Sequence, residues 1–441
     1  MNKFVFILSV VLYSLALAII SDSFVFLNKG LLIAFIAVFL FINIFSGVFG
    51  IKYGSKRLKI CHHGNMLLLV FAFSSTVSTI YHIILGILTI KNDYKTFVWS
   101  ALFSIALHFI LFWNGILCVY LTSFQLGIRK RVLGAIFGFI PILNFYMLYV
   151  IIATVVKEVQ YETQKEKVNL ERKNFQICKT KYPILLVHGV FFRDNKLFNY
   201  WGRIPRELEK NGAIVYYGNH QSASSIEDSA KELAERIENI ISETGCEKVN
   251  IIAHSKGGLD CRFALANLGI EDKVASLITI NTPHRGCAFA DFLLEKISQE
   301  VKVKIANTYN KALKKLGDQN PDFITAVSNL TASYCKELDH SMKLPSGIYS
   351  KSVGSVMEKA RTGTFPLNLS YYFVNWFDGK NDGLVGEDSF RWGENYTLLK
   401  TSSKRGISHA DIIDLTRENL PDFDVREFYV ELVSDLKKRR L

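Results

Sequence analysis

No Cys-x-x-Cys pair occurs among the seven cysteines of this 441-residue chain, and seven is an odd number. A fully paired disulfide framework is excluded, and so is the usual zinc-ligand spacing. Internal repeats and low-complexity tracts are absent. The net charge of +12 comes with no recognised nucleic-acid-binding motif, and its bases are spread along the chain, so nucleic acid is not the partner it implies. Charge is itself scarce from Phe4 to Val156, where long apolar runs are broken only by short polar loops. With 49% hydrophobic residues and a positive mean hydropathy, the chain is too apolar for one soluble domain and too charged to lie wholly in a membrane.

The apolar half, residues 1–156, has five stretches that reach the roughly 20 residues needed to cross a hydrocarbon core as a helix. They lie near 4–20, 31–51, 66–90, 97–124 and 132–156. The loops Lys52 to Lys59 and Arg129-Lys130-Arg131 are the most basic, which places them with Lys3 on the cytoplasmic side. Five crossings then put everything after Val156 outside the cell membrane. Ala16-Leu17-Ala18 also suits a signal-peptide cleavage site, and removal of the first stretch would leave four crossings and the same outcome. His82 and His108 lie within spans. No Asp, Glu, Lys or Arg sits mid-span beside them, so the expectation is neutral imidazoles hydrogen-bonded in the bundle rather than an ion path. Residues 157–180 alternate charge with apolar residues and read as a juxtamembrane linker suited to anionic headgroups.

From residue 181 to 441 strands and helices alternate as in a mostly parallel sheet covered on both faces. Strands are expected at Pro183 to Val187, Ala213 to Tyr217, Lys248 to Ile252, Ala275 to Ile280, Tyr371 to Phe377 and Tyr396 to Lys400. The third runs directly into Ala253-His254-Ser255-Lys256-Gly257-Gly258. A buried strand that ends on small-x-Ser-x-Gly and enters a helix at once is the nucleophile elbow of the α/β-hydrolase fold. Ser255 is the candidate nucleophile.

The acid and the base follow the serine in chain order. Of ten histidines only His409 lies beyond the last expected strand, which makes it the general base. Its partner must be a carboxylate that fixes the imidazole tautomer. Asp378, Asp382 and Asp388 all qualify by position; Asp382 is favoured because the turn Asn381-Asp382-Gly383 exposes a carboxylate at a strand end. The two oxyanion N–H donors are expected from Lys256 and from Val190, after the first strand. His188 and His254 are expected to brace loops. The cysteines of this half, Cys178, Cys246, Cys261, Cys287 and Cys335, are expected to be inert core thiols.

Lys181 to Gly189, Tyr200-Trp201-Gly202, the elbow, Thr282-Pro283-His284-Arg285-Gly286, Asn381 to Val385 and His409-Ala410-Asp411 together resemble the secreted bacterial triacylglycerol lipases. The resemblance covers most of residues 181–415 in unchanged motif order. It implies the triad Ser255, Asp382, His409 with Val190 and Lys256 as oxyanion donors, and a lipid or acyl-ester substrate. Ala253 departs from the glycine most members have. The family's structural calcium has a match in Asp411 but no clear second aspartate, so no cofactor is expected. The membrane region has no counterpart there.

The resemblance also implies a helical lid, for which residues 287–345 leave room. Leu294, Ile297, Val301, Ile305, Tyr309, Ala312 and Leu316 follow helical spacing among six lysines, a basic amphipathic helix of the kind that lies on a lipid bilayer or packs on its own domain. The expected protein is thus a multi-pass membrane chain with an extracytoplasmic α/β-hydrolase domain cleaving acyl esters. An acyltransferase, thioesterase or amidase on the same triad, and a catalytically silent receptor, are the alternatives.

Overall fold

The computed structural model describes residues 3–23, 29–47, 51–91, 93–190, 199–363, 365–402 and 404–441. It divides into two compact units, Met1–Glu171 and Arg172–Leu441.

The first unit is helical: α1 (Lys3–Asp22), α2 (Lys29–Phe45), α3 (Lys56–Thr89), α4 (Tyr94–Thr122), α5 (Gly127–Phe137) and α6 (Leu143–Arg172). Helices α1, α3, α4 and α6 are long and apolar enough to cross a membrane; α2 is apolar but shorter. Their polarity is turned inside out relative to a soluble bundle. Ile33, Ile87 and Leu121 face outward, whereas Ser74, Ser78, Ser104 and His108 are buried. That distribution suits hydrocarbon as the solvent, because polar groups must then find partners inside. His108 meets Ser74 Oγ at 3.1 Å and the Ser104 carbonyl at 2.9 Å, and His82 meets the Ser78 carbonyl at 2.8 Å and Ser100 Oγ at 3.1 Å. Both histidines are therefore hydrogen-bonded within the bundle. Asp22, in the last turn of α1, also bonds to Ser78.

The single helix expected over 132–156 is not formed. Pro141 lacks an N–H and restricts the residue before it, Ile142 takes a φ of 70°, and the stretch breaks into α5 and α6. These run antiparallel as a hairpin, with Lys130 Nζ donating to Thr154 Oγ1 at 3.2 Å and Gly134 packed against Ile151. The buried Glu158 carboxylate then accepts from Arg57 at 2.8 Å, Ser123 Oγ at 2.5 Å and the N–H groups of Phe124 and Gln125 at 3.1 and 3.2 Å. Arg57 opens α3, and residues 123–125 follow α4. The chain has thus come back at Glu158 to the residues that follow Thr122. Residues 157–172 continue α6 without a break.

The second unit is built on a six-stranded, wholly parallel sheet. Its strands are β1 (Ile184–Val187), β2 (Val215–Tyr217), β3 (Val249–His254), β4 (Val274–Ile280), β5 (Tyr349–Ser355) and β6 (Asn395–Leu399), in the order β2-β1-β3-β4-β5-β6. The central strands β1, β3 and β4 are buried throughout, as parallel strands covered on both faces must be. Helices α7 (Ile204–Lys210), α8 (Ile226–Thr244) and α9 (Lys256–Asn267) supply crossovers, and α15 (Val425–Lys438) packs on the core around Trp201 and Ile204. This is the α/β-hydrolase architecture expected from the alternation and the elbow.

Two strand assignments need correction. Tyr371 to Phe377 is not a strand but part of α14 (Leu367–Asp378); the penultimate strand is β5, in a segment with little apolar character. Aromatic and β-branched residues favour strands, yet Leu369, Tyr372, Phe373 and Trp376 share one helical face, and Gly379 ends the run. In β5 the polarity is absorbed by pairing: Ser352 Oγ donates to the Trp392 carbonyl at 2.6 Å, and Ser350 Oγ accepts from Glu394 N–H at 3.1 Å.

Residues 288–339 hold α10 (Ala288–Lys296), α11 (Gln299–Lys315), α12 (Phe323–Ser328) and α13 (Ala332–Asp339). The helix expected from Leu294 to Leu316 is two, because Ser298 caps α11. Its apolar stripe is also offset: Leu313 is buried, while Val301 and Tyr309 are exposed.

Candidate active site

Ser255 sits between the end of β3 and the start of α9 with φ 55° and ψ −132°. A non-glycine residue held there costs about 1–3 kcal/mol, so the surroundings must over-determine it. They do so by close approach. A Cβ on Gly257 would lie 2.4 Å from the His188 carbonyl, and one on Gly189 would lie 2.7 Å from Ser255 Cβ. Only glycine fits at either position, and the loop after β1 is thereby pressed against the serine. Ser255 N–H is tied to the Ile280 carbonyl at 3.0 Å, and the residue is 9% exposed.

His409 and Asp382 meet at 2.6 Å between Nδ1 and Oδ2. A carboxylate only accepts, so Nδ1 carries the proton and Nε2 is left as the basic nitrogen. Backbone pairing fixes the same two residues, since His409 N–H donates to the Asp382 carbonyl at 2.9 Å. Asp382 is fully buried and satisfied: Oδ1 accepts from the N–H groups of Leu384 and Val385 at 2.9 and 2.8 Å, and Oδ2 accepts from Asn281 Nδ2 at 2.6 Å. The rival carboxylates are placed elsewhere. Asp378 accepts from the N–H groups of Ala288 and Phe289 at the start of α10, and Asp388 is exposed.

Val190 and Lys256 both lie beside the serine, one after the Gly189 approach and the other next in the chain. Among the described residues neither backbone N–H has a hydrogen-bond partner. The Lys256 side chain is buried, donating to Asp260 at 2.7 Å and Ser229 Oγ at 3.0 Å, which ties α9 to α8. Burial pushes the Asp260 carboxyl up to about 7, with Lys256 pulling against it.

His188 and His254 brace the loops. His188 bonds the Gly189 and His220 carbonyls at 2.8 and 3.1 Å. His254 Nδ1 meets Tyr200 Oη at 2.6 Å, and that oxygen accepts from Gly189 N–H at 3.0 Å. Burial, and then the neighbouring His409, hold the His254 imidazole well below its ordinary range, so it stays neutral. Arg203 forks onto the fully buried Asp414 carboxylate at 2.7 and 2.8 Å, locking the Tyr200–Arg203 segment to the loop that carries His409.

Asp411 does not fit a calcium site. Its Oδ2 accepts from Ser408 N–H and Oγ at 3.1 and 2.7 Å, and its Oδ1 accepts from Arg405, which also reaches Glu418 at 2.9 Å. The guanidinium is shared between the two carboxylates, so Asp411 already has a cationic partner. In the same unit burial raises the thiols of Cys178 and Cys335 to about 12 and holds those of Cys261 and Cys287 well above their ordinary range, as inert core residues require, whereas Cys246 is only partly buried.

Asn281 and Arg203 are neighbours of the candidate site that residue patterns alone did not single out. Asn281 had a signal: it follows β4 directly and takes a φ of 48°, a conformation asparagine tolerates better than most residues.

Residues 183–338 match the family model described as palmitoyl protein thioesterase. Among curated proteins the chain is 32% identical over 166 residues to a triacylglycerol lipase of Pseudarthrobacter phenanthrenivorans, covering 35% of this chain and 51% of that one. It is also 32% identical over 166 residues to a triacylglycerol lipase of Burkholderia plantarii, covering 35% and 46%. The chain thus spans about half the length of these two relatives. Triacylglycerol lipase 2 of Saccharomyces cerevisiae is 25% identical over 269 residues, 56% of this chain and 77% of the yeast protein. Among solved structures, mature lipase BlEst2 of Bacillus licheniformis aligns over 58% of this chain and 92% of its own, at 24% identity and a TM-score of 0.44. These sequence relatives are triacylglycerol lipases.

Proposed function

We propose that this chain is a membrane-anchored serine hydrolase that cleaves acyl esters of lipids. The observations that carry the reading are the buried Asp382–His409 pair, whose imidazole lies against His254, and the strained elbow conformation of Ser255, the next residue after His254. Ser255 Oγ attacks the acyl carbonyl as His409 Nε2 takes its proton, and Asp382 stabilises the imidazolium. The oxyanion forms against the unengaged N–H groups of Val190 and Lys256. His409 then protonates the departing alcohol, and water, activated by the same imidazole, releases the acid from the acyl-serine. A fluorophosphonate probe should label the wild type at Ser255 and leave Ser255→Ala unlabelled. Labelling of neither would mean a silent fold, and equal labelling of both a different nucleophile.

A second reading, attack on an acyl thioester, is favoured by the thioesterase family match over 183–338. Oxygen-ester and thioester substrates of one acyl chain, assayed side by side with and without an alcohol acceptor, separate hydrolase, thioesterase and transferase.

The catalytic unit is assigned here to the cytoplasmic side, in place of the extracytoplasmic side expected from five crossings. What supports this is the α5–α6 hairpin, which returns the chain to the bundle end carrying Lys56, Arg57, Arg129, Lys130 and Arg131. The seven free thiols, five of them buried, suit a reducing compartment.

No metal is assigned to the loop after His409. Chelator should leave activity and melting temperature unchanged, whereas Arg405→Ala should destabilise the unit by about 2 kcal/mol by leaving Asp411 without its charged partner. Loss of stability on chelation, restored by calcium, would instead make Asp411 a metal ligand.

A further inference from the structure

We propose that α14 is a lipid-seating surface, the face on which the catalytic unit rests on a bilayer. Leu369, Tyr372, Phe373 and Trp376 recur at positions three and four apart on one face of this helix, and Phe365 extends it. All five are exposed, Trp376 by 84%, Tyr372 by 66% and Phe373 by 63%. At about 200 Å² per large side chain they present on the order of 600 Å², more than the scattered apolar surface a soluble domain tolerates. The patch continues onto α10, where Phe292 packs on Phe377 with ring centroids 4.8 Å apart.

The composition selects lipid as the occupant. Tryptophan and tyrosine carry an apolar body and a polar tip, the combination that settles at a headgroup boundary. The face bears no charge: the sole acid of α14, Asp378, is engaged with the start of α10. Exposed Arg361 and Lys380 flank the helix on either side, which complements anionic headgroups. Lipid is also always at hand, because the same chain carries four helices long and apolar enough to span a bilayer.

Helix α14 is built into the turn of the catalytic acid. Ser370 Oγ donates to the Gly383 carbonyl at 2.5 Å, and Leu367 packs directly on Gly383, next to Asp382. Seating the helix therefore brings the Asp382 turn to the lipid surface as one piece. The surface lies between β5 and the acid, not on the lysine-rich segment from Leu294 to Leu316 that the sequence points to.

The test uses the full-length chain in vesicles of phosphatidylcholine and phosphatidylglycerol, with the photo-cross-linker p-benzoylphenylalanine in place of Trp376 or, as control, of the exposed Glu431 on α15. Lipid adducts at 376 and not at 431 are expected. Chain-to-chain adducts at 376 would assign the face to a second copy and overturn the proposal, as would adducts at neither position. A second arm rests on the esterase reading above: in Phe373→Ser/Trp376→Ser, the ratio of the rate on a vesicle-borne lipid ester to that on a soluble short-chain ester should fall about tenfold. An unchanged ratio counts against lipid seating. If the wild type cleaves neither ester, the esterase reading fails while the cross-linking result still stands.

Discussion

Ser255→Ala and His409→Ala should each abolish ester hydrolysis, by roughly 10⁴-fold or more in kcat, and the double variant should be little worse than either, because members of a triad act as a unit. Asp382→Asn should fall nearly as far. An amide cannot hold the imidazole with its proton on Nδ1 as a carboxylate does, so the wrong tautomer is populated. Asp378→Asn separates the roles. That carboxylate accepts from Ala288 and Phe289 N–H groups at the start of α10, so its loss should lower the melting temperature and spare kcat. A silent Asp382→Asn beside an inactive Asp378→Asn would reverse the assignment.

Protease added to sealed, right-side-out cells should leave the unit from Arg172 onward intact and digest it only once the membrane is opened. Digestion of that unit in sealed cells would place it outside and require that the α5–α6 hairpin be a single crossing in the cell. The expectation rests on Glu158. Its carboxylate takes four donors, from Arg57 and from residues 123–125, and is fully buried. Breaking such a group out of its partners costs several kcal/mol, and a chain emerging at the opposite face would have to do so. Glu158→Ala should accordingly loosen the bundle, seen as faster proteolysis at the loop around Ser123. An unchanged cleavage rate there would mean that Glu158 does not hold that end together.

The elbow turn and the His409–Asp382 pair were readable in the sequence because each depends on short-range pattern or on chain order. A buried apolar strand running into Ala253-His254-Ser255-Lys256-Gly257 specifies a sharp turn by local sterics alone. Order then left His409 as the base, and the Asn-Gly turn around Asp382 favoured one carboxylate of three. The alternation of apolar runs and helical periods was enough for the parallel sheet and for the apolar character of the first unit.

Other features were decided by contacts between residues far apart in the chain. Residues 367–378 suit a strand by propensity and a helix by spacing; it is β5, with its buried serines bonded to the backbone of residues 392–394, that fills the place in the sheet. Whether Asp411 meets a metal or a guanidinium depends on how Arg405 folds back onto it. The return of the chain to the residues that follow Thr122 turned on the bonds Glu158 makes with Arg57 and residues 123–125. A hydropathy run reports how apolar a segment is, whereas the face at which it ends is set by the polar partners that wait there, and burial makes those partners obligatory.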